Sequence, residues 1–174
     1  VVCKRLIKVV IILNNIELRK HLSSCRLCPR ECMADRINGS VGFCGAGAAV
    51  KAARIALHHW EEPPISGIRG SGTVFFSYCN LKCSYCQNYQ ISHQGFGKEL
   101  TIGELADKFL ILQRQGAHNI NLVTGTHYTP HIAAAIKEAR KKGLSIPIVY
   151  NTSAYEKKET LLMLEGLIDV YLPD

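Results

Sequence analysis

Three cysteines in Tyr78-Cys79-Asn80-Leu81-Lys82-Cys83-Ser84-Tyr85-Cys86-Gln87-Asn88, spaced C-x3-C-x2-C, follow directly on the apolar run Thr73-Val74-Phe75-Phe76. A short β-rich run that ends in a turn puts all three thiols at one strand end. A [4Fe–4S] cluster is ordinarily held by four protein thiolates, so a turn offering three leaves one iron to bind something that is not protein. The competing reading is structural zinc, which needs a closed tetrahedral shell. His93 is the nearest fourth ligand, but Cys86-x6-His93 is longer than the spacing of about three to five residues usual in zinc fingers. The cluster is the preferred reading.

The chain around this turn is globular in composition: 174 residues, 47% of them hydrophobic, with no long low-complexity tract. Val9-Val10-Ile11-Ile12-Leu13 is too short to span a bilayer and lacks the cleavage site of a secretory signal, so no membrane partner and a reducing, cytoplasmic home are expected. Eight cysteines in such a chain argue for metal or redox ligation rather than disulfides. The formal charge of +7 is scattered. A solvated helix face explains Lys137, Arg140, Lys141 and Lys142 better than a nucleic-acid partner does. Lys82 reads equally as a charge beside an anionic cluster or as an exposed loop residue.

Beyond the turn the chain alternates helix and strand. Thr101-Ile102-Gly103-Glu104 is a capping-box pattern, and Ile102, Leu105, Ala106, Phe109 and Leu110 recur at helical spacing until Gly116. A strand is expected over 119–123, a helix from Thr129-Pro130 to Gly143, then a strand over 146–150, a helix over 156–164 and a strand over 168–172. Strands joined by crossover helices imply an α/β fold with a parallel sheet, here a partial, open TIM-like barrel of about four β/α units. A chain that stops at a buried-looking strand leaves an unpaired edge, so a C-terminally truncated piece of a longer protein is expected. In such barrels the functional groups collect at the carboxyl ends of the strands. Those loops here carry 79–88, Thr124-Gly125-Thr126-His127, Asn151-Thr152-Ser153 and Pro173-Asp174.

A second group lies upstream, Cys25-x2-Cys28-Pro29-Arg30-Glu31-Cys32-x11-Cys44. Four thiolates suit structural zinc and suit a closed auxiliary iron–sulfur cluster equally, and a structural metal is preferred to an electron relay. The expected organisation is a helical lead over 1–24, a Cys-rich metal knuckle over 25–50, a Pro/Gly-rich connection over 51–72 and the barrel over 73–174. Cys3 is read as a packing residue. Glu61 and Glu62 are read as structural, contacting Arg54 or Arg69, and His127 as hydrogen-bonded rather than catalytic.

The cysteine turn, with Tyr85 before its last cysteine, resembles the signature of the radical S-adenosylmethionine enzymes. Within them the resemblance is to uncharacterised homologues of pyruvate formate-lyase activating enzyme. Besides the cysteines it rests on His59-Trp60-Glu61-Glu62-Pro63-Pro64-Ile65-Ser66-Gly67, Gly70-Ser71-Gly72-Thr73, Cys86-Gln87-Asn88-Tyr89, Val123-Thr124-Gly125-Thr126-His127 and Tyr150-Asn151-Thr152-Ser153. The resemblance implies a cluster on Cys79, Cys83 and Cys86 whose free iron takes S-adenosylmethionine, and reductive cleavage of that cofactor to a 5′-deoxyadenosyl radical. It implies cofactor contacts from Tyr85, Asn88, Thr124, Thr126, Asn151, Thr152 and Ser153, and an electron donor such as flavodoxin or ferredoxin. It also implies hydrogen abstraction from a glycyl-radical enzyme. Alternatives are radical modification of a different protein, nucleic acid or small molecule, and a zinc-stabilised nucleic-acid or protein-binding module. One departure stands out: many of these enzymes carry Gly-Gly-Glu after the second strand, where this chain has Thr124-Gly125-Thr126.

Overall fold

The computed structural model describes residues 16–60 and 62–173, without the side chain of Glu17. Most of the expected lead, with Cys3, Glu61 and Asp174, lies outside the described residues. The described end of the lead is a helix, α1 (Ile16–Leu22). Its Leu18 and Leu22 are buried against Ile37, Ala48, Ile102 and Ala134, a small core apart from the main one.

Six strands form one sheet in the order β3-β1-β2-β4-β5-β6. They are β1 (Val50–His58), β2 (Ser71–Phe76), β3 (Lys98–Leu100), β4 (Ile120–Val123), β5 (Ile148–Thr152) and β6 (Val170–Pro173). β2, β4, β5 and β6 run parallel, whereas β1 is antiparallel to both β2 and β3. The fold is therefore α/β with a mixed, mostly parallel sheet, and the four parallel strands are the expected β/α units. The 51–72 segment differs from its reading as a connection. Residues 50–58 are a full strand, and only the remainder, with the short helix α2 (Pro63–Ser66), is turn-rich. A register shift between Ala52 and Arg54 breaks the alternation of β1, and such a bulge hides a strand from period-two reading.

The central strands are buried on both faces, as parallel strands under helices must be. Ile120, Leu122, Ile148, Tyr150, Val74 and Phe76 join the main core, into which α4 (Ile102–Arg114) and α5 (Thr129–Lys141) press Leu105, Phe109, Leu112, Ile132 and Ile136. Each such side chain contributes about 1.5–3 kcal/mol. The capping box forms as expected, with Glu104 N–H donating to Thr101 Oγ1 at 3.1 Å and Thr101 N–H to Glu104 Oε2 at 2.7 Å. Among the described residues, α3 (Tyr89–Ser92) and α6 (Lys158–Leu162) are single turns, and Thr126–Tyr128 form a 3-10 turn. No helix of the described residues is long and apolar enough to cross a membrane.

Two histidines are buried neutral in this core. His131 Nε2–H donates to Ala48 O and His127 Nε2–H to Ser77 O, both at 2.8 Å. Burial, with the Arg36 charge nearby, pushes both rings down to about 3. The unfolded chain binds protons at these rings from about pH 6.5 downward, the folded chain only near pH 3. Stability should therefore be level above pH 7 and fall as pH drops below it, with a slope of up to about 1.4 kcal/mol per pH unit for each ring. Urea midpoints measured at about pH 7.5 and about pH 5 check this; His131→Gln, which keeps a donor for Ala48, should remove roughly half of the acid loss.

Candidate cluster and cofactor site

The three thiols sit where β2 ends. Cys79 is buried, and Cys83 and Cys86 are half-buried. The turn leaves β2 through backbone that L-residues rarely adopt, with Tyr78 at φ +71° and Lys82 at +54°. Such positions cost on the order of 1–3 kcal/mol and persist only where the surroundings enforce them. Here Tyr78 N–H donates to Ile91 O at 2.8 Å and Cys86 N–H to Cys83 O at 3.2 Å. The sulfurs receive donors of their own: Leu81 N–H reaches Cys79 Sγ at 3.3 Å, and Ser92 Oγ lies 3.3 Å from Cys86 Sγ. Both contacts aim donors at sulfurs of the three-cysteine turn, the kind of outer contact that orients a metal ligand.

The loops that follow β4 and β5 are stitched to this turn. His127 donates to Ser77 O, two residues before Cys79. Asn80 Nδ2–H donates to Tyr155 O at 2.8 Å. Thr126 Oγ1 donates to Glu156 Oε1 at 2.7 Å, and Thr152 Oγ1 donates to the same oxygen. The structure therefore brings Cys79, Asn80, Thr126, Thr152 and Glu156 together at the carboxyl ends of three adjacent parallel strands. His127 is the hydrogen-bonded structural residue expected.

Other expected residues stand differently. Tyr85 is 88% exposed, and Asn88 opens α3 exposed, with no side-chain cap bond. Thr124 adopts φ +57°, an outlier for a β-branched residue, and donates its N–H to Asn151 O at 3.0 Å. Ser153 Oγ is buried without a partner. His93, the fourth ligand that zinc would have needed, instead stacks on Tyr89 with ring centroids 4.3 Å apart. Of the Glu62 and Arg69 contacts expected, Glu62 precedes α2 as its N-cap and Arg69 bonds His118 at 3.1 Å.

Two residues were missed. Glu156 was assigned to a helix start, yet α6 begins at Lys158, because the hydroxyls of Thr126 and Thr152 hold its carboxylate. Asn121 was read only as part of a strand. It shares a sheet face with Thr73 and Val149 by register, and both polar atoms of its amide are buried without a partner among the described residues. An unpaired buried amide costs about 1–3 kcal/mol, so a polar residue inside an otherwise apolar strand was the available signal.

The upstream cysteines lie beside the turn. Arg30 Nε–H donates to Asn80 O at 2.6 Å and Nη2–H to Leu81 O at 3.3 Å, with the guanidinium 3.4 Å above the Phe43 ring. Thr160 Oγ1 bonds Leu27 O at 2.8 Å, and Lys157 donates to Glu31. Burial pushes the Cys28 and Cys44 thiols up, and neighbouring cysteines of the group add to that shift. Among the described residues no three His, Cys, Asp or Glu side chains are grouped to hold one ion. The iron ligands of a cubane lie on separate metals and need no such convergence, so three thiols on one turn with sulfur-directed donors fit a cluster.

The radical SAM superfamily model matches residues 73–172. An uncharacterised protein of Methanocaldococcus jannaschii is 32% identical over 167 residues, 91% of this chain and 47% of that protein. The chain thus spans about half the length of the curated relative it matches. No solved structure matches it.

Arg30→Ala removes two carbonyl contacts from the turn. It should lower stability by about 1–2 kcal/mol and reduce the iron retained after reconstitution and desalting, whereas Arg30→Lys should recover part of both. Iron content and urea midpoints, measured side by side, check this.

Proposed function

Because the chain belongs to the radical SAM superfamily, we propose that it is a radical S-adenosylmethionine enzyme whose cluster is held by Cys79, Cys83 and Cys86. When bound, the reduced cluster and S-adenosylmethionine supply a 5′-deoxyadenosyl radical, and the protein supplies position and shielding. The observation that carries this reading is the three-thiol turn at the end of β2, bonded to the loops that end β4 and β5. Family membership makes an enzyme, rather than a zinc-stabilised binding module, the reading to test first.

Each element of the rim then has a task. Leu81 N–H and Ser92 Oγ aim donors at the Cys79 and Cys86 sulfurs, and donors to cluster sulfurs tune reduction potential. The Lys82 ammonium, 5.4 Å above the Phe43 ring, adds positive charge near an anionic cluster. Where related enzymes carry Gly-Gly-Glu, this chain brings in a carboxylate from further along, Glu156. Its Oε1 is held by two threonines, which leaves Oε2 for the amino group of the cofactor. Thr126 and Thr152 thus act through Glu156. Thr124, Asn151 and Ser153 supply the remaining polar groups of the rim for carboxylate and ribose, and Tyr85 and Asn88 those of the outer turn. Asn121 adds a fully buried amide without a partner among the described residues.

By resemblance to pyruvate formate-lyase activating enzyme, the substrate would be a glycyl-radical enzyme and the electron donor a flavodoxin or ferredoxin. Radical modification of another protein, nucleic acid or small molecule uses the same rim.

The test is anaerobic reconstitution followed by reduction. Added S-adenosylmethionine should change the electron paramagnetic resonance of the reduced cluster, and 5′-deoxyadenosine should form only with reductant. Cys83→Ala should abolish both. Glu156→Gln should keep the cluster and weaken the cofactor-induced change on the order of tenfold, about 1.4 kcal/mol for one charge-assisted bond. Iron and sulfide with no response to S-adenosylmethionine would refute the assignment.

A further inference from the structure

The upstream cysteines carry chemistry that the cluster site does not use. Cys25, Cys28 and Cys44 are buried, and Cys32 is exposed at the mouth of the same knuckle. The backbone is folded as a ligand cradle: Cys25 N–H bonds Ala34 O and Met33 N–H bonds Cys25 O, both at 3.0 Å, and Gly45 N–H closes a turn on Gly42 O at 3.0 Å. Two of the sulfurs accept an N–H from the second residue onward, Cys44 from Ala46 at 3.4 Å and Cys28 from Arg30. Cys79 has the same arrangement with Leu81. Cys32 is packed against Gly42, two residues before Cys44, so closely that a Cβ there would collide with the Cys32 sulfur.

A buried cation faces this knuckle. Arg36 is 2% exposed. Its described hydrogen bonds end on Gly47 O at 2.6 and 2.9 Å, on His127 O at 2.7 Å and on Cys25 Sγ at 3.9 Å. Among the described residues this guanidinium bonds only carbonyls and sulfur, and a buried cation calls for an anion. A centre closed by four thiolates carries net negative charge and supplies it.

We propose that Cys25, Cys28, Cys32 and Cys44 bind a second, thiophilic metal centre, separate from the Cys79 turn and charge-balanced by Arg36. As placed, the four sulfurs do not converge on one ion, so ligation turns their side chains toward a common centre and releases the thiol protons to solvent. Zinc and an iron–sulfur cluster share this four-thiolate chemistry. In either form the centre fixes the knuckle from which Arg30 reaches the carbonyls of Asn80 and Leu81.

The test removes the other site first. The chain with Cys79, Cys83 and Cys86 all changed to Ala, purified anaerobically, should still hold either about one zinc, or iron matched by acid-labile sulfide. The first outcome identifies a single ion and the second an auxiliary cluster, and both support the proposal. Adding Cys28→Ser and Cys44→Ser should release the metal. Cobalt(II) alone, titrated into the metal-free triple variant, should give red ligand-field bands and sulfur charge-transfer absorption. Arg36→Gln should weaken that titration on the order of tenfold, and Gly42→Ala should weaken it as well. A triple variant with neither zinc nor iron and no cobalt–sulfur absorption overturns the proposal, as does metal that survives loss of Cys28 and Cys44. Because the radical site is absent throughout, failure here leaves the proposed enzyme activity untouched.

Discussion

Hydrogen bonds from outside the sheet hold the end of β2 in a backbone path it would not otherwise take. Tyr78 and Lys82 lie in the left-handed region, as do Thr124 and Ala154 beyond β4 and β5. Isolated, each would relax, since a non-glycine residue gains on the order of 1 kcal/mol or more by leaving that region. None can relax alone. The carbonyls of Ser77, Asn80 and Leu81 are engaged by His127 and Arg30, and the Asn80 amide by Tyr155. Moving one loop breaks the bonds that define its neighbours. The position of three sulfurs is thus settled by contacts distributed over the knuckle and two strand ends.

This arrangement explains which histidine and which carboxylate matter. His127 lies in the middle of the strand-end loops and reads from sequence as a hydrogen-bonded residue; its donor is spent on Ser77 O and burial keeps the ring neutral. It is a strut. Glu156 is the converse case. Two hydroxyls fix one oxygen, so the carboxylate is oriented, and among the described residues no hydrogen bond engages the other oxygen. Thr126 and Thr152, both expected at the cofactor, share a hydrogen-bond partner in Glu156, a residue outside the expected set.

The parallel units were legible because their signals are local. Thr101 and Glu104 predict a cap that forms, Gly116 and Gly143 stand where the helices stop, and the apolar runs at 120–123 and 148–150 become central strands. What escaped was decided by distant partners. β1 pairs antiparallel with β2 over residues 52–58, but its bulge and its small residues blur the alternation. β3 has three residues, too few for any period. Residues 168–169, expected in the last strand, stay outside it, because the Asp169 carboxylate accepts Ile148 N–H at 2.8 Å and pairs with Arg140. In the site, the cysteine turn was legible from spacing alone. Asn121 and Glu156 were not, since their roles depend on which loops meet.

The knuckle's place in this order follows from the same constraint. A three-thiol turn presents concentrated negative charge once loaded, and the residues nearest it in sequence offer only Lys82. Arg30 and Arg36 come from 50 or more positions upstream or make contacts across 91 positions, at a loop-closure cost that grows only slowly with separation. Arg30 spends its guanidinium on carbonyls of the turn, and Arg36 spends its own between the knuckle and the His127 carbonyl. Both cations are therefore delivered by a segment whose backbone is shaped around four cysteines rather than by the barrel itself. A barrel built from crossover helices must keep its strand ends open to ligands; rigidity at that open end has to come from elsewhere in the chain, and here it comes from the cysteine-rich segment that precedes the sheet.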